Sequence, residues 1–308
     1  DRSGEEEIYT VPQDGSAAAV ALTQGGKAMR YAPAWAPDGK RLVWVSSLGL
    51  GHFNLHIADV SDAGLADVRQ LIPEKKSVVD RYYYSASNHS INPSWSPDGK
   101  EIYFVMNDEN AWGSGDVYAL SVSDPRTVRK IISEETTWAA RPELSPDGRR
   151  LLYSSYRGRQ WQQLWLGTPK GDAPLPLTFG EFDRRNVRWS ADGRKIAYIS
   201  NEHGGTEIRV QDALGGASKA LYATSRKTLL PQSRLSLHIR DASGRLTPAR
   251  VSIVASDKRS YAPADAWVHA DDGFDRSIQG TETQYFHCLK SCTLDVPAGE
   301  VRISVQHG

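Results

Sequence analysis

The chain has 308 residues, of which 39% are apolar and 24% charged, with 37 basic and 37 acidic side chains. Zero net charge removes the electrostatic attraction that nucleic acids and anionic membrane surfaces require, and this apolar content is that of a folded protein. No stretch approaches the roughly 18 consecutive apolar residues of a membrane-spanning helix. We therefore expect no nucleic-acid partner and no membrane span.

The two ends of the sequence indicate part of a longer protein. Residues 1–7 are too acidic for a signal peptide. The chain opens on Asp1 rather than Met and stops at Gly308 within a strand-like run. We expect any export signal to have been removed or to lie outside this sequence.

Turn-forming and aromatic residues favour short strands. The chain holds 26 Gly, 16 Pro, nine Trp and 13 Tyr, and no long stretch has the amphipathic period of a helix. Many short strands joined by tight turns account for this composition. The prediction is an all-β fold.

Four copies of one motif occupy the first two thirds of the chain. Each copy places an Asp-Gly pair between two apolar runs, and the turn residues are Asp38, Asp98, Asp147 and Asp192. Asp-Gly in this setting is a strong hairpin signal, because the turn needs a positive φ that Gly adopts without steric cost. Each copy therefore predicts a β-hairpin.

A second hairpin follows each first one. Four strands in a period of about 45 residues are typical of a propeller blade, which buries its faces only by stacking on its neighbours. Residues 1–23 hold the second half of one more repeat. The sequence thus predicts a propeller of 4.5 repeats over residues 1–223.

These repeats resemble a known family. The Pro-x-Trp-Ser-Pro-Asp-Gly-Lys pattern, complete at residues 93–100, and the Glu-Ile-Tyr run ending at Tyr9 are similar to the WD40-like repeat of TolB-type propellers. The resemblance implies a periplasmic or secreted bacterial protein with a central funnel used for binding, and six blades in the parent. Either the parent chain begins earlier, or other elements close the ring. If 4.5 repeats are all that is present, we expect an open ring, with exposed strand edges within residues 1–11 and at the last blade.

The repeated tryptophans and turns should serve the fold. Trp35, Trp95 and Trp189 occupy the same place in three repeats, and every blade needs such packing and turn residues. We expect them to pack between blades rather than to bind a ligand.

Functional residues should lie on one rim of the central channel. Aligned on the turn aspartates, the residues before each first strand form a set that we call the propeller mouth: Arg30, Tyr31, His89, Asn92, Trp138, Arg141, Arg184, Arg185 and Asn186. Guanidinium groups pair with carboxylates and stack on rings, so the mouth suits a carboxylate-bearing segment of a partner protein. The alternative is a solvated rim whose arginines pair with acids of the blades.

One insertion adds a further candidate contact surface. Residues 73–90 lengthen the first full repeat and contain Arg81 and three tyrosines, Tyr82 to Tyr84. Exposed aromatic residues on a loop recur at interfaces, although a loop folded back over a blade has the same composition.

No catalytic motif occurs in the sequence. Gly-x-Ser-x-Gly, His-Glu-x-x-His, His-x-His and Cys-x-x-Cys are all missing, and the eight histidines are scattered. His269 and His287 lie 18 residues apart, on what reads as a loop and a strand. We assign no catalytic residue, no metal and no cofactor to this chain, and expect it alone to perform no chemistry.

A different domain follows the repeats. Residues 224–233 read as a linker, and residues 234–308 contain five or more short alternating strands. This density of strands predicts a small β-sandwich of immunoglobulin-like or transthyretin-like type.

The sandwich segment also resembles a known module. Residues 241–251, Tyr285 to His287 and the turn at 296–299 are similar to the carboxypeptidase-regulatory-like sandwich that precedes the catalytic domain of CehA/McbA-type metallohydrolases. The resemblance implies the accessory, partner- or substrate-binding region of a larger metal-dependent hydrolase, with all metal ligands in a downstream domain. The alternative is a TolB-like periplasmic binding scaffold with no enzymatic activity.

Two local features leave alternatives open. Cys288 and Cys292 flank three residues, and a hairpin there would place the thiols opposite each other for a disulfide, although two reduced thiols are as consistent with the sequence. His269, Asp271, Asp272 and Asp275 surround a Gly as cation ligands sometimes do, but a solvated acidic turn is favoured.

Overall fold

The computed structural model describes residues 6–25, 28–48, 51–80, 86–109, 115–136, 140–225, 231–270 and 284–307. Every regular element in these residues is a β-strand, which confirms the all-β prediction. The chain divides into two compact units, one covering residues 6–223 and the other beginning at Thr224.

The first unit contains a two-stranded half-blade and four four-stranded blades, with the strands of each blade in chain order. The half-blade is formed by β1 (Tyr9–Thr10) and β2 (Val20–Ala21). Blade 1 is formed by β3 (Arg30–Trp35), β4 (Arg41–Ser46), β5 (Asn54–Ser61) and β6 (Gly64–Gln70). Blade 2 is formed by β7 (Ser90–Trp95), β8 (Glu101–Met106), β9 (Gly115–Ser121) and β10 (Arg129–Thr136). Blade 3 is formed by β11 (Glu143–Leu144), β12 (Leu151–Ser155), β13 (Gln163–Gly167) and β14 (Leu175–Pro176). Blade 4 is formed by β15 (Arg184–Trp189), β16 (Lys195–Ser200), β17 (Glu207–Asp212) and β18 (Lys219–Leu221). The 4.5 repeats of the sequence are thus 4.5 blades.

The Asp-Gly pairs form the tight turn between the first two strands of each blade. In blade 2, Gly99 has a φ of 68°, and the Asp98 carboxylate accepts a hydrogen bond of 3.1 Å from the Lys100 N–H. The same bond closes the turn at Asp38, Asp147 and Asp192. The positive φ explains why Gly follows the aspartate each time.

Blades stack through alternate residues of their strands. In β4, Val43 and Val45 pack in the core shared with blade 2, whereas Leu42 and Trp44 pack in the core shared with Ile8 of the half-blade. Further cores join blade 2 to blade 3 and blade 3 to blade 4. Removing one large apolar side chain from water contributes about 1.5–3 kcal/mol, so these shared cores hold the blades together.

Blade 4 leaves one face open. Ile208 on β17 is 52% exposed, whereas Leu164, at the matching place on β13, is fully buried beneath blade 4. Within the described ranges, no strand of blade 4 makes an extensive contact with the half-blade. An open face is not a strand edge, so the exposed edges expected within residues 1–11 and at the last blade stay a prediction.

The second unit is built from two sheets. One pairs β19 (Gln232–His238) with β23 (Ser291–Pro297). The other has the order β21 (His269–Ala270), β22 (Gln284–Cys288), β20 (Ala249–Val254) and β24 (Arg302–Gln306). Val251, Ile253, Phe286, Leu294 and Val296 form the core between them. Strand β19 begins at Gln232, inside the segment that the sequence indicated as a linker.

Candidate binding site at the inner edge of the propeller

The first strands of the blades line the inner edge of the propeller. Each first strand lies at the edge of its own sheet, and β7 contacts both β3 and β11, while β11 also contacts β15. Because only these strands meet their counterparts in neighbouring blades in this way, side chains near their starts converge on the axis.

One position in the first strand of blades 1, 2 and 4, and just before the first strand of blade 3, has a left-handed backbone. It lies six residues before the turn aspartate, and the four residues there are Ala32 (φ 50°), Asn92 (φ 54°), Arg141 (φ 40°) and Asn186 (φ 55°). In blades 1, 2 and 4 the pairing with the second strand shifts register at this point. The fold therefore builds the same irregularity in each blade, and only the side chain placed there differs. Asn tolerates this conformation better than Arg, so Arg141 carries a backbone cost that the side chains of blades 2 and 4 largely avoid.

Arg141 is a cation at the inner edge that forms no ion pair with the residues that the structure describes. Its side chain is half-buried, and it makes no ion pair or hydrogen bond to other described residues. Burial, and then the neighbouring Arg188 guanidinium, lower the pKa of Arg141, while Tyr31 and Glu143 act in the opposite direction. An arginine remains charged at neutral pH despite such a shift. Residues of blades 1, 3 and 4 thus lie close enough to affect the pKa of Arg141.

Glu143 and Arg188 form an ion pair beside Arg141 that the sequence reading missed. Arg188 Nη1 donates to Glu143 Oε2 over 2.8 Å, between neighbouring blades. Burial raises the pKa of Glu143, and the Arg188 charge opposes that shift. Both residues lie four positions before their turn aspartate, so an alignment of the repeats could have predicted that they lie close together. With Arg141, the group has a net charge of +1.

Two arginines of the propeller mouth serve the fold instead. Arg30 is buried and donates to Glu7 Oε1 over 2.7 Å and to the Gly25 carbonyl over 2.6 Å. Arg184 is buried and pairs with Glu202 over 3.3 Å. For these two residues the alternative reading, arginines paired with blade acids, describes the structure.

His89, Asn92 and Tyr31 are also built into the packing. His89 is 3% exposed, and its Nδ1 accepts a hydrogen bond of 3.2 Å from the Phe53 N–H. Asn92 is buried at the left-handed position of blade 2. The Tyr31 ring packs edge-on against Phe53, with centroids 5.2 Å apart. These side chains shape the inner edge rather than project from it.

The remaining residues of the propeller mouth differ in exposure. Arg185 is exposed and makes no ion pair within the described part of the chain, whereas Asn186 is half-buried. Trp138 lies outside the described residues, as do Arg81 and Tyr82 to Tyr84 of the insertion. The open cations of the mouth are therefore Arg141 and Arg185.

The cysteines are adjacent but not placed as the sequence reading supposed. Cys288 ends β22 and Cys292 lies in β23, which belong to different sheets, so the thiols do not face each other across one hairpin. They meet in the sandwich core, with Cys288 buried and Cys292 half-buried. Burial, and then the Cys288 thiol, raise the pKa of Cys292 to about 12. A disulfide between them stays a prediction.

The fold brings His269 and His287 together. His269 lies in β21 rather than in a loop, and its ring centroid is 5.2 Å from that of His287 and 4.8 Å from that of Tyr285. Among the residues described, no three His, Cys, Asp or Glu side chains are grouped to hold a metal ion. Asp271, Asp272 and Asp275 fall outside them. The described residues also contain no helix of the length and apolarity needed to cross a membrane.

Comparison with known proteins gives the family. The model of the TolB beta propeller domain (PD40) matches residues 69–269. A TolB homolog of Chlorobium luteolum is 30% identical over 156 residues, covering 51% of this chain and 30% of the relative. The uncharacterized peptidase YuxL of Bacillus subtilis is 30% identical over 86 residues, covering 26% of this chain and 13% of the relative.

Solved structures share the fold. The crystal structure of TolB from Acinetobacter baumannii superposes with a TM-score of 0.56 and 19% identity, covering 97% of this chain and 62% of that one. The chain thus spans less than a third of its curated relatives and under two thirds of this structure. Because the family model covers more than half of the sequence, and 4.5 blades carry its repeat, the chain belongs to the TolB β-propeller family.

Proposed function

We propose that this chain is a non-catalytic binding scaffold whose inner edge takes a carboxylate-bearing segment of a partner protein. Arg141 is the observation that carries the proposal. A half-buried guanidinium without an acid partner is costly unless something pairs with it, and an external carboxylate can do so bidentately. The left-handed backbone at Arg141 also supports a binding role. Such strain persists only where the surrounding structure holds it in place, and it clusters at binding sites.

The charges around Arg141 support an anionic ligand. Arg188 is already paired with Glu143, so the group keeps one net positive charge, and the exposed Arg185 adds a second cation on blade 4. A carboxylate that binds Arg141 would be attracted by this net positive charge, in a site partly shielded from salt because Arg141 is half-buried. A cationic segment would be repelled. The partner is therefore an acidic segment or a chain end.

The test is a binding assay with a fluorescein-labelled tetra-aspartate peptide, followed by fluorescence anisotropy. Arg141→Asn is the chosen variant, because Asn already stands at the same left-handed position in blades 2 and 4 and should keep the fold. Loss of a charge-assisted hydrogen bond should weaken binding by roughly one to two orders of magnitude. Arg185→Gln should weaken binding less, since that side chain is exposed.

The matched control is Arg69→Gln, which removes an exposed arginine from β6, the outermost strand of blade 1. It should bind the peptide as the unmodified protein does. An amidated tetra-asparagine peptide should not bind. Equal losses in the Arg69 and Arg141 variants, or equal binding of both peptides, would mean that the inner edge is not the site.

A second candidate function is based on the resemblance of the sandwich sequence to hydrolase-associated sandwiches. We propose it as an alternative in which the same scaffold accompanies a metal-dependent hydrolase domain elsewhere in the parent protein. One observation favours it: a relative similar over 86 residues is called a peptidase. His-x-His motifs in the coding sequence beyond Gly308 would support it, and a stop codon there would exclude a downstream domain. A periplasmic or secreted bacterial location is part of both proposals.

A further inference from the structure

Two histidines lie side by side on the outer face of the four-stranded sheet of the second unit. His269 belongs to β21 and pairs directly with Tyr285 of β22, two residues before His287. Phe286 and Cys288 point into the core between the sheets, so alternation along β22 places His287 and Tyr285 on the opposite side. There His287 is exposed and His269 half-buried. Strand pairing thus joins two imidazoles that stand 18 residues apart in the sequence.

The spacing of the two rings suits two ligands of one metal ion. The ring centroids are 5.2 Å apart, and the ring planes make an angle of 82°. With metal–nitrogen distances of about 2.0–2.1 Å, two imidazoles on one ion have centroids about 4.5 to 5.3 Å apart, for angles at the metal of roughly 90° to 110°. The observed separation lies within that interval. Both rings can therefore reach one ion without a movement of the strands.

The surrounding residues hold the pair in place. Tyr285 stacks on His269 with centroids 4.8 Å and planes 8° apart, and it lies edge-on to His287 at 5.8 Å. The backbones are fixed because His269 pairs with Tyr285, and His287 with Arg250 of β20. Ligands that are ordered beforehand lose less conformational entropy when an ion binds.

The charge of Arg250 opposes a bound cation only in part. Its guanidinium lies 4.0 Å from the centroid of the Tyr285 ring. Arg250 reaches that ring from β20, whereas His269 reaches it from β21, on the other side of β22. The tyrosine ring therefore stands between the guanidinium and His269. Removing this charge should strengthen the binding of a cation, which gives a test that a purely structural role of the histidines would not pass.

We propose that His269 and His287 bind one divalent transition-metal ion, with water completing its coordination. Imidazole nitrogen is a common ligand of Zn²⁺, Cu²⁺ and Ni²⁺, whereas Ca²⁺ and Mg²⁺ prefer oxygen. Burial raises the pKa of the Cys292 thiol to about 12, so this thiol stays protonated and is a poor competing ligand. The site belongs to the second unit and does not depend on the function proposed for the inner edge.

A Zn²⁺ titration of the full chain, labelled with ¹³C at the histidine Cε1 atoms, tests the proposal by NMR. The signals of His269 and His287 should move together at neutral pH and saturate at one equivalent of Zn²⁺. The variants His269→Ala and His287→Ala assign the two signals. Each should weaken binding roughly 10-fold or more, because the second imidazole binds intramolecularly once the first has bound. Ca²⁺ at the same concentration should move neither signal.

His238→Ala is the matched control, because it removes an exposed histidine from β19, in the other sheet. It should leave the Zn²⁺ affinity unchanged, whereas Arg250→Gln should raise that affinity roughly 2- to 3-fold. The signal of His307, which bonds to Thr247 over 2.9 Å, reports the folding of the second unit in every variant. Signals of the pair that move independently of each other, or equal affinities in His238→Ala and His287→Ala, would overturn the proposal.

Discussion

At the scale of single residues, a serine two positions before the turn aspartate reinforces the turn in three blades. In blade 2, Ser96 Oγ donates to Asp98 Oδ1 over 2.7 Å and accepts from the Glu101 N–H over 2.9 Å. Ser145 and Ser190 make the same bonds in blades 3 and 4. Blade 1 has Ala36 at this position, so Asp38 relies on backbone N–H groups and Arg41. The three serines hold the first turn more firmly than the alanine does.

These bonds give the stability of the fold a pH dependence. The Ser96 hydroxyl, and then the Lys100 N–H, lower the pKa of Asp98 below its usual value of 3.8. A carboxyl group with a lowered folded-state pKa stabilises the fold above its unfolded-state pKa, and that contribution is lost as the pH falls through the folded-state value. The turns should therefore weaken only in acid.

We expect Ser96→Ala to lower the free energy of unfolding by about 1 kcal/mol at neutral pH, since two hydrogen bonds of a buried hydroxyl are lost. The difference from the unmodified protein should shrink below about pH 4, where Asp98 becomes protonated in the unfolded chain. Urea denaturation between neutral pH and pH 3 measures both. Ala36→Ser is the converse variant and should not destabilise blade 1. A difference that stays constant with pH would show that the hydroxyl does not act through Asp98.

At the scale of elements, an arginine and a tryptophan join successive blades in a repeated way. Trp95 of blade 2 donates its indole N–H to the Ala34 carbonyl of blade 1 over 2.9 Å, and Arg41 of blade 1 lies 4.9 Å from the Trp95 ring centroid. Trp189 and Arg150 repeat both contacts between blades 4 and 3, at 3.2 Å and 4.9 Å. Trp95 and Trp189 thus attach blades 2 and 4 to the blade before each of them.

Trp35 offers the matched control for this contact. It occupies the same place in blade 1, but it is 46% exposed, and its indole makes no hydrogen bond to other described residues. We expect Trp95→Phe to cost about 1–2 kcal/mol, from one hydrogen bond and part of a cation–π contact, and Trp35→Phe to cost about 0.5 kcal/mol or less. Thermal and urea unfolding of both variants measure the difference. Equal costs would contradict the role assigned to the blade-to-blade bond.

At the scale of the whole molecule, the faces of the blades differ in whether a neighbour covers them. Leu164 and Ile208 take the same position in blades 3 and 4, yet one is buried and the other is 52% exposed. Both blades have an apolar residue at this position, so the sequence pattern predicts that each of these faces packs against a neighbouring blade. Only the folded structure shows which of the two faces a neighbouring blade covers.

Alanine variants at this pair test the open face. Leu164→Ala should cost about 2–5 kcal/mol, since it leaves a cavity between blades 3 and 4, whereas Ile208→Ala should cost less than about 1 kcal/mol. Both are measured by urea denaturation of the same chain. If Ile208→Ala proved as costly as Leu164→Ala, the face of blade 4 would be covered in solution.

The predictable part of this structure is local. The turns at Asp38, Asp98, Asp147 and Asp192 and the alternating strands after them depend on contacts within one hairpin, so the repeat itself carries them. The inner edge could be located for the same reason, because identical blades place identical positions together. Glu143 and Arg188 could have been found in this way too.

The chemistry of the site depended on partners from distant segments. Arg30, Arg141 and Arg184 look alike in the sequence, but Glu7 and Glu202 pair with the first and third, whereas Arg141 makes no ion pair with the described residues and only feels the charge of Glu143. Cys288 and Cys292 read as one hairpin, yet their strands belong to different sheets. The repeat alone predicted the blades and their turns. The ion pairs of Arg30 and Arg184, and the lack of one for Arg141 among the described residues, emerged only from the folded chain, because pairing depends on distances between segments that the spacing along the chain does not contain.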